Sequence, residues 1–284
     1  MTSPIPDSSD FTVTFWGVRG TMPVTDPAFA KVGGNTSCVE VNCGTKRLIL
    51  DAGTGIVNLG KTLEIGSEPI DILLSHTHID HILGLLFFEP IYNQDAHIRV
   101  FAGHLLPETN LKHTLNKVMS PPIFPVTISE VSSTLETVDF QAGTTISDDI
   151  DLGEGVTVTT TKLYHPDRAT GYRIGYNGKS VCYITDIEHS PDELDTPLLD
   201  FIHGTDYLIY DSTFDDAEFQ QYQGWGHSTW QHAIRLAEAA DVRRLALYHH
   251  HHQVNDIDLE NREKKLNNSR LLIDISHDNM SISI

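Results

Sequence analysis

The 284-residue sequence has no apolar run approaching the ~20 residues that a membrane-spanning helix requires. Its opening, MTSPIPDSSD, has neither a basic start nor an apolar stretch, so no secretory signal is expected. Cysteine is scarce. Cys38, Cys43 and Cys182 are odd in number and lack zinc-finger spacing, which leaves small buried thiols in a reducing cytoplasm as the expected state. Positive charge is the other shortage: 19 Lys and Arg stand against 39 Asp and Glu, a net charge of −20. Such a chain repels polyanions at long range, which argues against tRNA or duplex DNA as the main substrate. A metal site still makes a local positive hole, so a small anionic substrate stays open. No repeat and no low-complexity linker is visible.

What remains is ordinary for a globular protein, with 39% hydrophobic and 20% charged residues. At this length roughly 75% of the unfolded surface can be buried, so a core is available without staples. FTVTFWGV, CVEVNC, RLILDAGTG, DILLSH and HIRVFAG read as strands, from β-branched content, alternation or short apolar runs. VTVTTTKLYH, TDYLIYDSTF, RLALYHH and the tail SHDNMSISI complete the set. GYRIGYNGKSVCYITD reads as a hairpin, because Asn177-Gly178 suits a two-residue turn. LPETNLKHTLNKVM, STWQHAIRLAEAADV and LENREKKLNNSR read as helices, the second with Ser228 or Thr229 as its cap. SPPIFPV, with three prolines, breaks the first of these. Strands and helices mix throughout, which predicts one α/β domain over residues 1–284, with a loose start at 1–10 and an excursion at 105–137.

Histidine is the compositional outlier, at 16 residues, and LLSHTHIDHILGL packs three of them and an aspartate into six positions. At the end of an apolar strand, His76 and His78 share a face and can address one ion. Asp80 and His81 follow where the chain turns. Four ligands from one corner exceed what a single catalytic metal takes, and suit two adjacent ions. Imidazoles and carboxylates favour zinc, with manganese or iron also compatible. Two ions about 3.5–4 Å apart can share a water and lower its pKa toward ~7, giving a metal-bound hydroxide at neutral pH.

HTHIDH resembles the H-x-H-x-D-H signature of the metallo-β-lactamase fold superfamily. DAGTG resembles the Asp-containing turn before that signature, YHPDRATGYRI the segment supplying His165, YITD that supplying Asp186, and LALYHH the last ligand strand. In that strand His249 aligns better, with His250 as the neighbour able to displace it. FWGVRGTMPV with GGNTSC, YDSTF and GHST resemble the opening loop, the HEATF segment and a His-containing loop of the ribonuclease Z and small phosphodiesterase branch. The resemblance implies an αββα four-layer sandwich with two divalent metal ions at one edge of the sheets. His76, His78 and His165 would hold one ion, and Asp80, His81 and His249 the other, with Asp186 bridging. His227 is the implied general acid and Asp211 the group orienting it, although Asp there is shorter than the family's Glu. Asp80 counts with these two as a candidate catalytic group. Asp51 either supports a ligand histidine or only shapes the turn before Gly53.

His189 lies close to Asp186 in sequence and is a further candidate for the pocket. His251 and His252 are expected on the surface. His97, His104, His113, His203, His232 and His277 match no ligand spacing. VGGNTS lacks the lysine and helix start of a phosphate loop and is read as a turn. The expected function is metal-dependent hydrolysis of a small phosphodiester such as a cyclic nucleotide. The strong acidity and the tight hairpin between His165 and Asp186, where ribonuclease Z enzymes are expected to carry a tRNA-gripping arm, count against tRNA. The excursion at 105–137 would then cap the pocket. A carboxylic-ester or lactone hydrolase, a ribonuclease Z-like endonuclease and a non-catalytic metal-binding module are the rivals. A homodimer is implied by the resemblance, while the cysteine usage and the missing secretory signal point to the cytoplasm.

Overall fold

The computed structural model describes residues 10–153, 155–190, 193–266 and 270–284. Among these residues the chain forms two sheets. The first combines β1 (Phe11–Gly17), β2 (Cys38–Cys43), β3 (Lys46–Leu50), β4 (Ile70–Leu74), β5 (His97–Ala102) and β6 (Thr134–Asp139) with β13 (Ser281–Ser283), in the order β13-β1-β2-β3-β4-β5-β6. The second combines β7 (Thr157–Leu163), β8 (Ala169–Tyr176), β9 (Lys179–Ile184), β10 (Tyr207–Asp211), β11 (Arg244–Tyr248) and β12 (Leu272–Ile275), in the order β12-β11-β10-β9-β8-β7. The outer strands β1, β2, β7 and β8 pair antiparallel, whereas β3 to β6 and β9 to β12 run parallel.

Strand alternation dictates the layering. Leu48 and Leu50 of β3 point inward with Phe15, Val41, Tyr172, Tyr183 and Tyr248 into a core shared by both sheets. Ile49, between them, faces the other way and packs with Ile72, Leu74 and Ile56 of α1 (Gly55–Gly60). In β11, Ala246 and Tyr248 face the partner sheet. Leu245 and Leu247 face α4 (Thr196–Ile202) and α5 (Trp230–Ala239) instead. Strands buried on both sides need apolar residues at consecutive positions, which is why IDILL and YLIYD carry so little polarity. The result is an αββα sandwich.

Local chemistry sets the boundaries. Asn177 and Gly178 adopt φ of 49° and 76° between β8 and β9, the left-handed pair that a type I′ turn requires. Thr229, not Ser228, caps α5 by accepting from the His232 amide. The helix expected over 106–119 is shorter: α3 (Leu111–Val118) starts after Asn110, whose side chain caps it, and buries Leu111 and Leu115. The charged helix α6 (Asp256–Leu266) begins earlier than expected, and residues 267–269 of that expectation lie outside the described residues, as do 1–9 of the loose start. The 105–137 segment is not wholly an excursion, since Thr134 to Thr137 belong to β6 and pair with β5. The apolar run DILLSH leaves the sheet at Leu74, and RLALYHH leaves it at Tyr248.

The parallel strands β3, β4, β9, β10 and β11 end together at one edge, the usual place for a site in a sheet with parallel strands. Leu48 is fully buried between the sheets. Leu48→Ala is expected to cost about 2–5 kcal/mol, read as a lower urea midpoint at unchanged slope. Ile123→Ala, at a position 70% exposed, should shift stability by less than about 0.5 kcal/mol.

Candidate metal centre

Seven side chains from four chain segments meet at that edge. His76 and His78 do not share a strand face as expected. β4 has already ended, and His78 is the residue preceding α2 (Ile79–Ile82), which carries Asp80 and His81. Convergence comes from the turn into α2, which brings the rings of His76 and His78 within 4.4 Å and those of His76 and His81 within 4.2 Å. His165 follows β7, Asp186 follows β9 and His249 follows β11.

The donor atoms sort into sets that each fit a single cation. His76, His78 and His165 form one, with atoms within 4.8 Å of one another, and Asp80, His81 and His249 form a second. Asp186 spans them. Its Oδ1 lies 3.8 Å from Nε2 of His76 and of His165, and its Oδ2 lies 3.2 and 3.3 Å from Nε2 of His81 and His249. Asp186, Asp211, His227 and His249 also gather within the same limit.

Three of the rings are aimed by their other nitrogen. His81 Nδ1 donates to Asp51 at 2.7 Å, and Asp51 also accepts from the Ser75 amide, the Ser75 hydroxyl and the Tyr183 hydroxyl, at 2.6 to 2.7 Å. Asp51 therefore does more than shape a turn. His165 Nδ1 donates to the Gly226 carbonyl at 2.7 Å, and His249 Nδ1 lies 3.1 Å from the Thr213 hydroxyl. Two glycines make room. A Cβ on Gly20 would sit 2.3 Å from the His249 ring, and one on Gly226, at φ 84°, would sit 2.3 Å from His165 Nδ1.

The site fits a cation on its own chemistry. Nε2 of His76, His81 and His249 is buried without a hydrogen-bond partner, an expensive condition unless an ion takes the lone pair. Burial and the neighbouring His81 hold His76 well below the ordinary histidine pKa, so it presents a neutral ring. Burial likewise lowers His165. Burial also opposes protonation of His81, but Asp186, Asp80 and Asp51 outweigh it and raise that pKa well above normal. For Asp186, burial favours the acid form, yet His249, His81 and His76 overcome it and keep the carboxylate ionised. This excess of carboxylate is what a divalent cation offsets.

Beside the cluster, His227 Nδ1 lies 2.9 Å from Asp211 and 3.7 Å from Asp186. Burial lowers its basicity, but Asp211 dominates and raises its pKa to about 9. The remaining histidines fall outside the cluster. His250 turns away and bonds through Nε2 to the Ser276 carbonyl, leaving His249 as the member of the pair at the site. His189 bonds to the Ser228 hydroxyl and stacks on His232 at 3.8 Å, lining a separate cavity of about 470 Å³ with Tyr164 and Glu188. His251 and His252, expected on the surface, are partly buried, with their rings 4.2 Å apart and tilted by 35°. His113, His203 and His277 are exposed, and His97 faces Glu136. The 31–37 stretch acts as a brace, since Thr36 and Thr54 exchange hydrogen bonds behind the Asp51 turn.

Several residues at the site had no spacing to betray them. Thr213, Tyr183 and Gly226 act through contacts distant in sequence. His104, which matched no ligand spacing, is buried against Thr77, with its ring 6.4 Å from that of His76. Burial lowers its pKa to about 4.

Comparison with known proteins agrees with this geometry. Residues 46–250 match the family described as the beta-lactamase superfamily domain, and the chain belongs to that superfamily. It is a metal-dependent hydrolase of the β-lactamase fold. Ribonuclease Z of Haloarcula marismortui is 24% identical, over 84% of this chain and 85% of its own. Human tRNase Z, short form, superposes with a TM-score of 0.66 at 21% identity, covering 96% of this chain and 99% of its own. A diphosphatase from the PhnP family superposes equally well, at 0.66 and 19% identity, covering 96% of both chains.

Asp51→Ala is expected to weaken metal binding about 10–100-fold by freeing the His81 ring, measured by competition with a chromogenic chelator. Tyr183→Phe, which removes one of the hydrogen bonds to Asp51, should fold normally and give a smaller loss. Equal affinities for wild type and both variants would exclude Asp51 as the support.

Proposed function

We propose that the chain is a phosphodiesterase acting on a small phosphodiester such as a cyclic nucleotide. In this reading His76, His78 and His165 hold one divalent cation, Asp80, His81 and His249 hold a second, and Asp186 lies between them. Zinc suits these donors. Bound there, the ions would supply Lewis acidity, charge neutralisation at the phosphoryl oxygens and a solvent nucleophile of lowered pKa. Ligand arrangement alone does not separate a phosphodiesterase from a lactone hydrolase, so the choice falls on what stands beside the cluster.

The observation that carries the proposal is the His227–Asp211 pair. A proton on His227 Nδ1 is held by Asp211, which leaves the other ring nitrogen to protonate a departing alkoxide. Such help matters for an alkoxide leaving group, whose conjugate acid is weak; a lactone would release one too, so the pair favours phosphodiesters through the resemblance of YDSTF and GHST to the ribonuclease Z and small phosphodiesterase branch. Asp211 is itself fixed, since its Oδ1 accepts from the Thr213 amide and hydroxyl at 3.0 and 2.8 Å. The Asp in place of the expected Glu therefore reaches His227 without slack.

RNA remains the rival, because relatives carry the name ribonuclease Z. Supporting a small substrate instead are the net charge of −20 and the two-residue turn between β8 and β9, where the resemblance implies an arm for tRNA. The 105–137 segment is proposed to restrict the mouth of the site, with Phe124 set edge-on against exposed Phe87. The three free, buried cysteines are in keeping with a cytoplasmic protein, and among the described residues no helix is long and apolar enough to cross a membrane.

Metal-loaded protein should hydrolyse 2′,3′- or 3′,5′-cyclic nucleotides and bis-p-nitrophenyl phosphate in preference to lactones and thioesters. Preference for the carboxyl esters, or for precursor tRNA, would replace the proposal with the corresponding rival. His227→Ala should retain both metals and lose about 10²–10⁴-fold in kcat, most for the poorest leaving groups. Equal losses across leaving groups would remove His227 from the acid role. The pH profile gives the sign. His227 is protonated below its raised pKa of about 9 and loses the proton above it, so activity falls on the alkaline side. Asp186 and Asp80 contribute to that raised value, and cations bound to them shift the limb downward. Asp211→Asn should move it further toward lower pH.

A further inference from the structure

An unbroken series of rings leads from the metal centre to solvent. His227 lies 5.3 Å from the His165 ring and 5.0 Å from that of His249. Phe214 meets His227 edge-on at 6.0 Å, and Tyr222 stacks flat on Phe214, at 4.3 Å and 3°. Trp225 closes the series, edge-on to Tyr222 at 5.3 Å. Phe214 is buried, Tyr222 half-buried, and Trp225 is 59% exposed. Trp225 thus presents an indole to solvent two residues from the proposed acid.

The loop presenting Trp225 is not loose. The Glu188 carboxylate accepts from the Gly224 amide at 2.7 and 2.9 Å and from the Gly226 amide at 2.8 Å, gripping the chain on both sides of Trp225. Both glycines sit at positive φ, 88° and 84°. The Trp225 amide donates back to the Tyr222 carbonyl at 3.1 Å. Gly226 also supplies the carbonyl that holds His165. One short loop thus fixes a ligand ring, the proposed acid and an exposed indole relative to one another, which is preorganisation of the kind binding sites use.

We propose that Trp225, braced edge-on by Tyr222, is the stacking platform for the nucleobase of a nucleotide phosphodiester and the residue determining specificity. This rests on the phosphodiesterase reading and narrows it: the base lies on the leaving-group side, because the series of rings starts at His227. A face-on indole accepts purines and pyrimidines with little discrimination, so the platform selects nucleotides as a class over base-free phosphodiesters.

The test compares 2′,3′-cyclic AMP with glycerol 1,2-cyclic phosphate, which carries a similar reacting ring without a base, using metal-loaded wild type, Trp225→Ala and Trp225→Phe. Trp225→Ala should raise KM for the nucleotide about tenfold and change KM for the glycerol diester by less than about twofold, with Trp225→Phe recovering most of the loss. Equal changes on both substrates, or no change on either, would overturn the platform. If wild type hydrolyses neither, the phosphodiesterase reading fails and the platform is judged by calorimetric binding of adenosine 5′-monophosphate. A roughly tenfold weaker affinity in Trp225→Ala supports it, and equal affinity removes it.

Discussion

Everything at the metal centre depends on tethering imidazoles through one nitrogen so that the other is free. Asp51, Gly226 and Thr213 each hold an Nδ1, of His81, His165 and His249 respectively. The opposing Nε2 atoms of His81 and His249 are thereby buried without partners and face Asp186. Without the tethers the rings would rotate, and the repulsion of like lone pairs would disperse them. The arrangement works because the two sheets end at a common edge, so side chains more than a hundred residues apart are brought within bonding distance by the core beneath them. The core thus acts on function through geometry: Tyr183 and Tyr248 pack between the sheets, and the same Tyr183 hydroxyl holds Asp51.

Much of this was legible in the chain. The apolar run before HTHIDH marked a buried strand, and the cluster at its end had no structural reason to exist there. The Asn177-Gly178 turn fixed one hairpin by local sterics alone. Other parts were hidden for physical reasons. TLETVD of β6 forms the edge of its sheet, is nowhere fully buried and carries two acids, so its pattern is too weak to stand out beside three prolines. The start of α3 is set by the Asn110 cap, which nothing in LPETNLKHTLNKVM distinguishes from the polar residues beside it. The approach of His76 and His78 was expected for the wrong reason, through strand alternation, when a turn and a helix start bring it about. Thr213 and Gly226 lie inside YDSTF and GHST, but nothing local shows that they hold His249 and His165, and nothing local marks His104, which meets a distant partner.

The relatives and the electrostatics pull in different directions, and the structure shows how both can hold. Superfamily membership accounts for the scaffold. In the proposed reading substrate choice belongs to the rim, where the β8–β9 turn and the Trp225 loop stand clear of the buried clusters, whereas the 105–137 segment is anchored in one of them by Leu111 and Leu115. A rim can change while the cores stay as they are, which is how one scaffold can host different substrates.

Asp51, Asp186 and His249 share a backbone feature: each lies just past a strand end in the left-handed region, at φ of 61°, 55° and 60°. Aspartate and asparagine tolerate that conformation better than most residues, whereas histidine there is strained, at about 1–3 kcal/mol for such positions. The fold would accordingly be more robust with glycine at these corners. Retaining side chains there means the polypeptide is held slightly short of its own optimum, and an ion drawn into the cluster repays part of that deficit by fastening together the very corners that strain the backbone.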